Sequence, residues 1–124
     1  VGGNVAEELR RVSVELYTRA ARLAQARGLI IADTKFEFGL DEDGGLVWAD
    51  EALTPDSSRF WDVATYAPGS NPPSFDKQFV RDWLESTGWN KQPPAPPLAP
   101  EIAARTRELY FEAYRRITGR PLAV

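Results

Sequence analysis

Gly28 separates two stretches whose periodicities demand different backbones. Before it, Val5, Leu9, Val12, Leu16, Ala20 and Leu23 recur at spacings of three and four, while the arginines at 10, 11, 19, 22 and 27 mostly fall elsewhere. Only an α-helix gathers such positions into one stripe. The pattern predicts an amphipathic helix from about Val5 to Arg27, ended by Gly28 at the position where glycine is favoured. After Gly28, Leu29-Ile30-Ile31-Ala32 opens a strand that is expected to continue through Phe38. A helix that passes straight into a strand should lay its apolar stripe on the sheet containing that strand. Helices laid on a sheet are therefore expected.

The rest of the chain fits this frame. Asp41-Glu42-Asp43-Gly44-Gly45 reads as a turn, and Leu46-Val47-Trp48-Ala49-Asp50 returns as a second strand. Thr54-Pro55-Asp56-Ser57-Ser58 is another turn, and residues 62–74, with three prolines and a glycine, an irregular surface loop. Ser74 is the expected N-cap of a second helix carrying Phe75, Phe79, Val80, Trp83 and Leu84, with Gly88 at its end. Five prolines in residues 93–100 predict an extended strap across the surface. A last helix should begin near Glu101, align Ile102, Thr106, Leu109, Ala113 and Ile117, and stop at Gly119 and Pro121.

Composition narrows the chemistry. The 124 residues suit one domain or part of one, and 43% hydrophobic with 27% charged residues is a globular balance. Histidine and cysteine are both absent, which removes imidazole bases, thiolate nucleophiles and thiolate metal sites. Carboxylates, lysines, arginines, hydroxyls and an oxygen-bound metal are what is left. A net charge of −3 argues against a nucleic-acid partner. No apolar run approaches the roughly 20 residues that cross a bilayer, so no membrane partner is expected. No export signal is visible, and a cytoplasmic location is expected. The lack of any methionine predicts that these residues are a segment of a longer protein.

The chemically informative stretch is Asp33-Thr34-Lys35-Phe36-Glu37. On a strand Asp33, Lys35 and Glu37 share one face at spacings of roughly 6.5–7 Å, and Phe36 and Phe38 face the core under the first helix. Such a charged row is equally what a solvated sheet face shows. The hairpin matters here. A two-residue turn at Asp43-Gly44 sets Glu37 opposite Asp50, a repulsive pair that becomes favourable around a divalent cation with hard oxygen ligands. A four-residue loop instead sets Lys35 opposite Asp50 in an ordinary salt bridge. Asp56-Ser57-Ser58-Arg59 follows a proline turn of the kind that offers N–H groups, hydroxyls and a guanidinium fork to an anion, the plain alternative being a capped turn with a surface arginine. Asp41-Glu42-Asp43-Gly44-Gly45 departs from a calcium loop because its glycine comes too early and Ala52 occupies the twelfth position.

Three segments resemble the SAICAR synthetase family. Gly28 to Gly39, with Ala32-Asp33-Thr34-Lys35-Phe36-Glu37-Phe38-Gly39 at its heart, is similar to the family's signature strand. Asp50-Glu51-Ala52-Leu53-Thr54-Pro55-Asp56-Ser57-Ser58-Arg59-Phe60-Trp61 is similar to its second signature, and Ser74-Phe75-Asp76-Lys77-Gln78-Phe79-Val80-Arg81-Asp82 to a segment of its longer forms. The resemblance implies an α/β (α+β) fold, an antiparallel sheet flanked by helices, within a two-lobed ATP- and Mg2+-dependent ligase of purine biosynthesis. In that reaction the carboxylate of carboxyaminoimidazole ribonucleotide (CAIR) is activated as an acyl phosphate, and L-aspartate displaces phosphate to form an amide. It further implies that Glu37 and Asp50 hold magnesium beside the ATP phosphates, and that Asp33 and Lys35 face the substrate and the transferring phosphoryl group. By the same resemblance Asp56 and Ser57 line the nucleotide pocket, Arg59 meets its 5′-phosphate, and Asp76 and Lys77 approach the aspartate site or start a helix. Residues 1–124 then correspond to the C-terminal lobe, whose partner is the N-terminal ATP-binding lobe, and these residues alone are expected to lack turnover. Two other readings stand beside this one. An inositol polyphosphate kinase-like protein has a related fold and an Asp-x-Lys strand, although Thr54-Pro55-Asp56-Ser57-Ser58-Arg59 argues against it. The other is a non-catalytic interaction domain of the same fold.

Overall fold

The computed structural model of the chain describes residues 2–70, 72–75 and 77–123. The first helix, α1, spans Gly3–Gln25, and Gly28 follows in the left-handed region at φ 75. Val5, Leu9, Val12, Leu16 and Ala20 are half-buried as the stripe requires. At its C-terminal end Leu23 is 49% exposed, and its neighbour Ala24 enters the core instead.

The expected single strand through Phe38 is two strands. β1 spans Leu29–Thr34 and β2 spans Glu37–Leu40, with the ladder broken at Lys35 and Phe36. β2 pairs antiparallel with β3 (Leu46–Ala49), while β1 pairs antiparallel with β4 (Ser58–Asp62). Leu29 lies opposite Asp62, Ile31 opposite Phe60 and, past a bulge at Ala32, Asp33 opposite Arg59. The residue pattern predicts no strand at β4. Its five residues carry two charges and sit between a proline turn and a proline-glycine loop, so local propensity is weak and the pairing with β1 forms it.

The core lies where this β1–β4 ribbon meets α1 and the last helix. Leu29 and Phe60 are fully enclosed, and Ala24, Ile31, Phe75 and Ala113 are buried beside them, with Tyr17, Leu53, Leu109 and Ile117 packed around. Phe36 and Phe38 are not members. They pack with Trp48 on the β2–β3 hairpin, Phe36 edge-on to it at 5.7 Å, because the strand break carries them away from the core.

Two helices complete the fold. Helix α2 spans Gln78–Ser86 and begins after Lys77, so Ser74 is not its cap. Ser74 instead bridges to Trp61, and its Oγ donates to the Phe60 carbonyl at 3.3 Å. This addition to the edge of β4 draws Phe75 into the core rather than onto a helix face. Helix α3, Pro100–Thr118, starts with proline at its first turn and ends at Gly119 in the left-handed conformation, as expected. It buries Ala113 and packs Leu109 and Ile117 on the core.

A carboxylate–guanidinium cluster ties α3 to the end of β4. Arg116 donates to Asp62 and Glu112, both at 2.8 Å, Arg115 donates to Glu112 at 2.8 Å, and the Arg116 guanidinium lies 5.1 Å from the Phe75 ring centre. Hydrogen bonds from Arg115 and then Arg116 hold the Glu112 carboxyl down at about 2, from the usual 4.5. A carboxyl depressed in the folded state contributes stability above its unfolded pKa and loses it as pH falls through the folded one. The thermal midpoint of the full-length protein should therefore be level down to about pH 5 and decline between about 4.5 and 2. In Glu112→Gln that decline should be shallower but still present, because Asp62 and Asp33 are shifted the same way. Melting curves across this range check it.

Candidate functional site

The β2–β3 loop decides how the acidic residues meet. Leu40 lies opposite Leu46 and Glu37 opposite Ala49, so the loop is five residues long rather than two or four. Asp41 closes it: its Oδ1 accepts from the N–H of Asp43 at 3.1 Å and of Gly45 at 2.6 Å, and its own N–H donates to the Gly45 carbonyl. Glu37 therefore faces Ala49, and neither expected pairing with Asp50 occurs. A shift of one residue would ordinarily send Asp50 to the opposite face. It does not, because Asp50 leaves β3 in the left-handed region at φ 62, a conformation that aspartate tolerates better than most residues. Lys35 Nζ then stands 2.5 Å from Glu37 Oε1 and 4.0 Å from Asp50 Oδ2. The two carboxylates converge on one cationic group after all, by a backbone kink instead of a ladder pairing.

Lys35 also lines a cleft of about 310 Å³. Its walls come from the end of β1 (Asp33, Thr34, Lys35), the turn into β4 (Pro55 to Arg59) and the start of α2 (Lys77, Gln78, Arg81). Six of the nine residues singled out in the sequence lie here: Asp33, Lys35, Asp56, Ser57, Arg59 and Lys77. Glu37 and Asp50 are outside the lining and join it through Lys35. Asp76 lies outside the described residues. Arg81 is a cleft residue that the sequence reading misses, although its spacing of four from Lys77 on one helix face is a readable signal.

Cationic side chains outnumber acidic ones in the cleft lining. Among the described residues of the lining, Lys35, Arg59, Lys77 and Arg81 stand against Asp33 and Asp56, within a chain whose net charge is −3. Arg59 forks onto Asp33 through Nε and Nη2, both at 2.8 Å. That bond, chiefly, holds the Asp33 carboxyl below its ordinary range, so it is ionised at neutral pH. The hydrogen bond from Lys35 to Glu37, followed by the negative charges of Glu37, Asp50 and Glu51, raises the lysine. Lys35 is thus a fixed positive charge rather than a proton acceptor at neutral pH.

The Thr54–Ser58 turn differs from the expected anion cradle. The N–H groups of Asp56 and Ser57 both point at Thr54 Oγ1 at 3.3 Å, and Ser58 N–H bonds the Thr54 carbonyl, so this backbone is capped internally. What the turn contributes to the cleft is its side chains. Asp56 itself is braced from outside the turn: Lys77 Nζ donates to its carbonyl at 2.8 Å, and the Tyr110 hydroxyl on α3 donates to its Oδ1 at 2.8 Å.

Known proteins are similar to this chain in sequence and fold. The sequence model of SAICAR synthetase matches residues 1–96. The phosphoribosylaminoimidazole-succinocarboxamide synthase of Methylobacillus flagellatus is 64% identical over 98% of this chain, and that of Neisseria meningitidis serogroup B is 58% identical over 95%. The chain spans 41% of the length of each. Among solved structures, the Saccharomyces cerevisiae SAICAR synthase complexed with SAICAR is 42% identical with a TM-score of 0.89, covering all of this chain and 42% of that one. A SAICAR synthetase in complex with ADP is 26% identical with a TM-score of 0.71, again over all of this chain and 42% of that one. The chain belongs to the SAICAR synthetase family.

Proposed function

We propose that the chain is the C-terminal lobe of an ATP-dependent ligase that joins CAIR to L-aspartate, giving SAICAR, ADP and phosphate, and that its cleft receives the ribonucleotide. The observation that carries this reading is the convergence of three separated segments on one cleft with four cationic side chains, in an acidic chain. The SAICAR-bound and ADP-bound relatives agree with the ligand classes such a cleft suits.

The residues divide the work by charge. Arg59, held in place by Asp33, brings its guanidinium charge to the nucleotide phosphate, with Lys77 and Arg81 beside it. Lys35 is positioned to neutralise the phosphoryl group as it passes from ATP to the substrate carboxylate, where charge compensation matters more than a strong base. The amine of aspartate then attacks the acyl phosphate, the carbon–nitrogen bond forms, phosphate leaves, and the amine gives up a proton. Glu37 and Asp50 fit magnesium in number and kind: two carboxylates already share one cationic group, and magnesium is commonly held by one or two carboxylates plus substrate phosphates. When bound there, the ion would neutralise phosphate charge. The adenine-binding lobe, and with it turnover, belongs to the rest of the polypeptide.

The test uses the full-length protein. It should convert CAIR only with ATP, a divalent cation and L-aspartate together. Arg59→Ala should raise KM for CAIR by about 10- to 100-fold, the loss expected for hydrogen bonds to a charged group, while KM for ATP changes little. Equal effects on both KM values, or no conversion by the wild type, would remove this assignment.

A further inference from the structure

Asp56 is held from a part of the chain that the family's sequence model does not reach. That match ends at residue 96, whereas Tyr110 lies in α3, which begins at Pro100. The Tyr110 hydroxyl donates to Asp56 Oδ1 at 2.8 Å across 54 residues of sequence. On the same helix Leu109, Ala113 and Ile117 are packed on the core, so the phenol is mounted on a rigid support. Lys77 fastens the other end of the same residue through the Asp56 carbonyl at 2.8 Å. The turn's internal bonds to Thr54 fix its backbone but leave the direction of the Asp56 carboxylate unspecified. Tyr110 supplies that direction. The carboxylate is otherwise exposed at the cleft wall, where it could adopt several rotamers.

We propose that Tyr110 is a positioning residue for the ribonucleotide site: it orients the Asp56 carboxylate in the substrate cleft and makes α3 part of the active-site support. The inference rests on the reading of the cleft given above. Aligning a side chain before substrate arrives lowers the ordering that binding must accomplish, so the effect should appear mainly in nucleotide affinity.

The experiment is a double-mutant cycle in the full-length protein with Tyr110→Phe, Asp56→Asn and the pair, measuring KM for CAIR, KM for ATP and kcat. Tyr110→Phe keeps the ring and loses only the hydroxyl, so the thermal midpoint should move by no more than about 2 °C. The expected result is a rise in KM for CAIR of about five- to tenfold in Tyr110→Phe, with KM for ATP within about twofold. In the Asp56→Asn background the tyrosine change should add less than about twofold, because the carboxylate whose direction the hydroxyl sets is no longer there. Full additivity of the two changes, or no change in KM for CAIR in Tyr110→Phe while Asp56→Asn raises it, overturns the positioning role and leaves the cleft assignment intact. If Asp56→Asn itself leaves every KM unchanged, the cleft assignment fails for this residue and the role of Tyr110 fails with it.

Discussion

Glu37→Gln in the full-length protein is expected to lower kcat at saturating CAIR, aspartate and ATP by about a hundredfold or more and to raise the magnesium concentration needed for half-maximal rate. The substitution keeps size and hydrogen-bonding capacity and deletes one negative charge. Two consequences follow from the geometry. The pair of carboxylates proposed to hold a divalent cation is reduced to Asp50 alone, and Lys35 loses the charge of its partner at 2.5 Å while keeping the carboxylate at 4.0 Å. Removing one preorganised electrostatic partner of a transition state commonly costs a factor of about 10² to 10³. Stability should hardly change, because Glu37 is exposed on a two-stranded hairpin and exposed ion pairs contribute little. Steady-state rates against magnesium, with a melting curve alongside, test both halves. Unchanged kcat with unchanged magnesium dependence would falsify the metal role of this pair.

Phe60→Ala should produce the largest loss of stability, about 3–5 kcal/mol, the range for deleting a fully buried aromatic ring. Phe60 is 0% exposed and packs at the centre of the cluster of buried side chains among the described residues. Its backbone carbonyl also accepts from Phe75 N–H and Ser74 Oγ, so a cavity here loosens the edge that draws Phe75 inward. Against a typical folding free energy of about 5–15 kcal/mol, this removes a large share. The adjacent Arg59 and Ser58 line the cleft, and their strand is held to β1 around Phe60. KM for CAIR should therefore rise together with the loss of stability, unlike in Glu37→Gln. Phe38→Ala, on the hairpin, should cost only about 1 kcal/mol. Urea midpoints of the wild type and the two variants decide the matter: a Phe60→Ala cost no greater than that of Phe38→Ala would mean that the β1–β4 ribbon is not the core.

Residue order was enough to specify α1, its end shortly before a left-handed Gly28, the entry into β1, the helical periodicity of α3 with its end at Gly119, and the residue types from which a site could be made. These are local matters: a 3.6-residue period, a glycine at positive φ and the absence of imidazole and thiol chemistry need no distant partner. The grouping of Asp33, Lys35, Asp56, Ser57, Arg59 and Lys77 was legible only through family resemblance, since no spacing rule brings residue 33 to residue 77. Long-range packing settled what remained. β4 exists because β1 offers it a ladder, Ser74 became an edge extension because Phe60 has a carbonyl to share, and Tyr110 reached Asp56 because α3 docks over the core. The hairpin shows the difference most sharply. Its acidic pair is expected from a register that does not form, and a left-handed residue at Asp50 restores the meeting on Lys35. Register depends on loop length, which one aspartate sets by bonding neighbouring backbone N–H groups, and so small a choice lies below what alternation of residue types can specify.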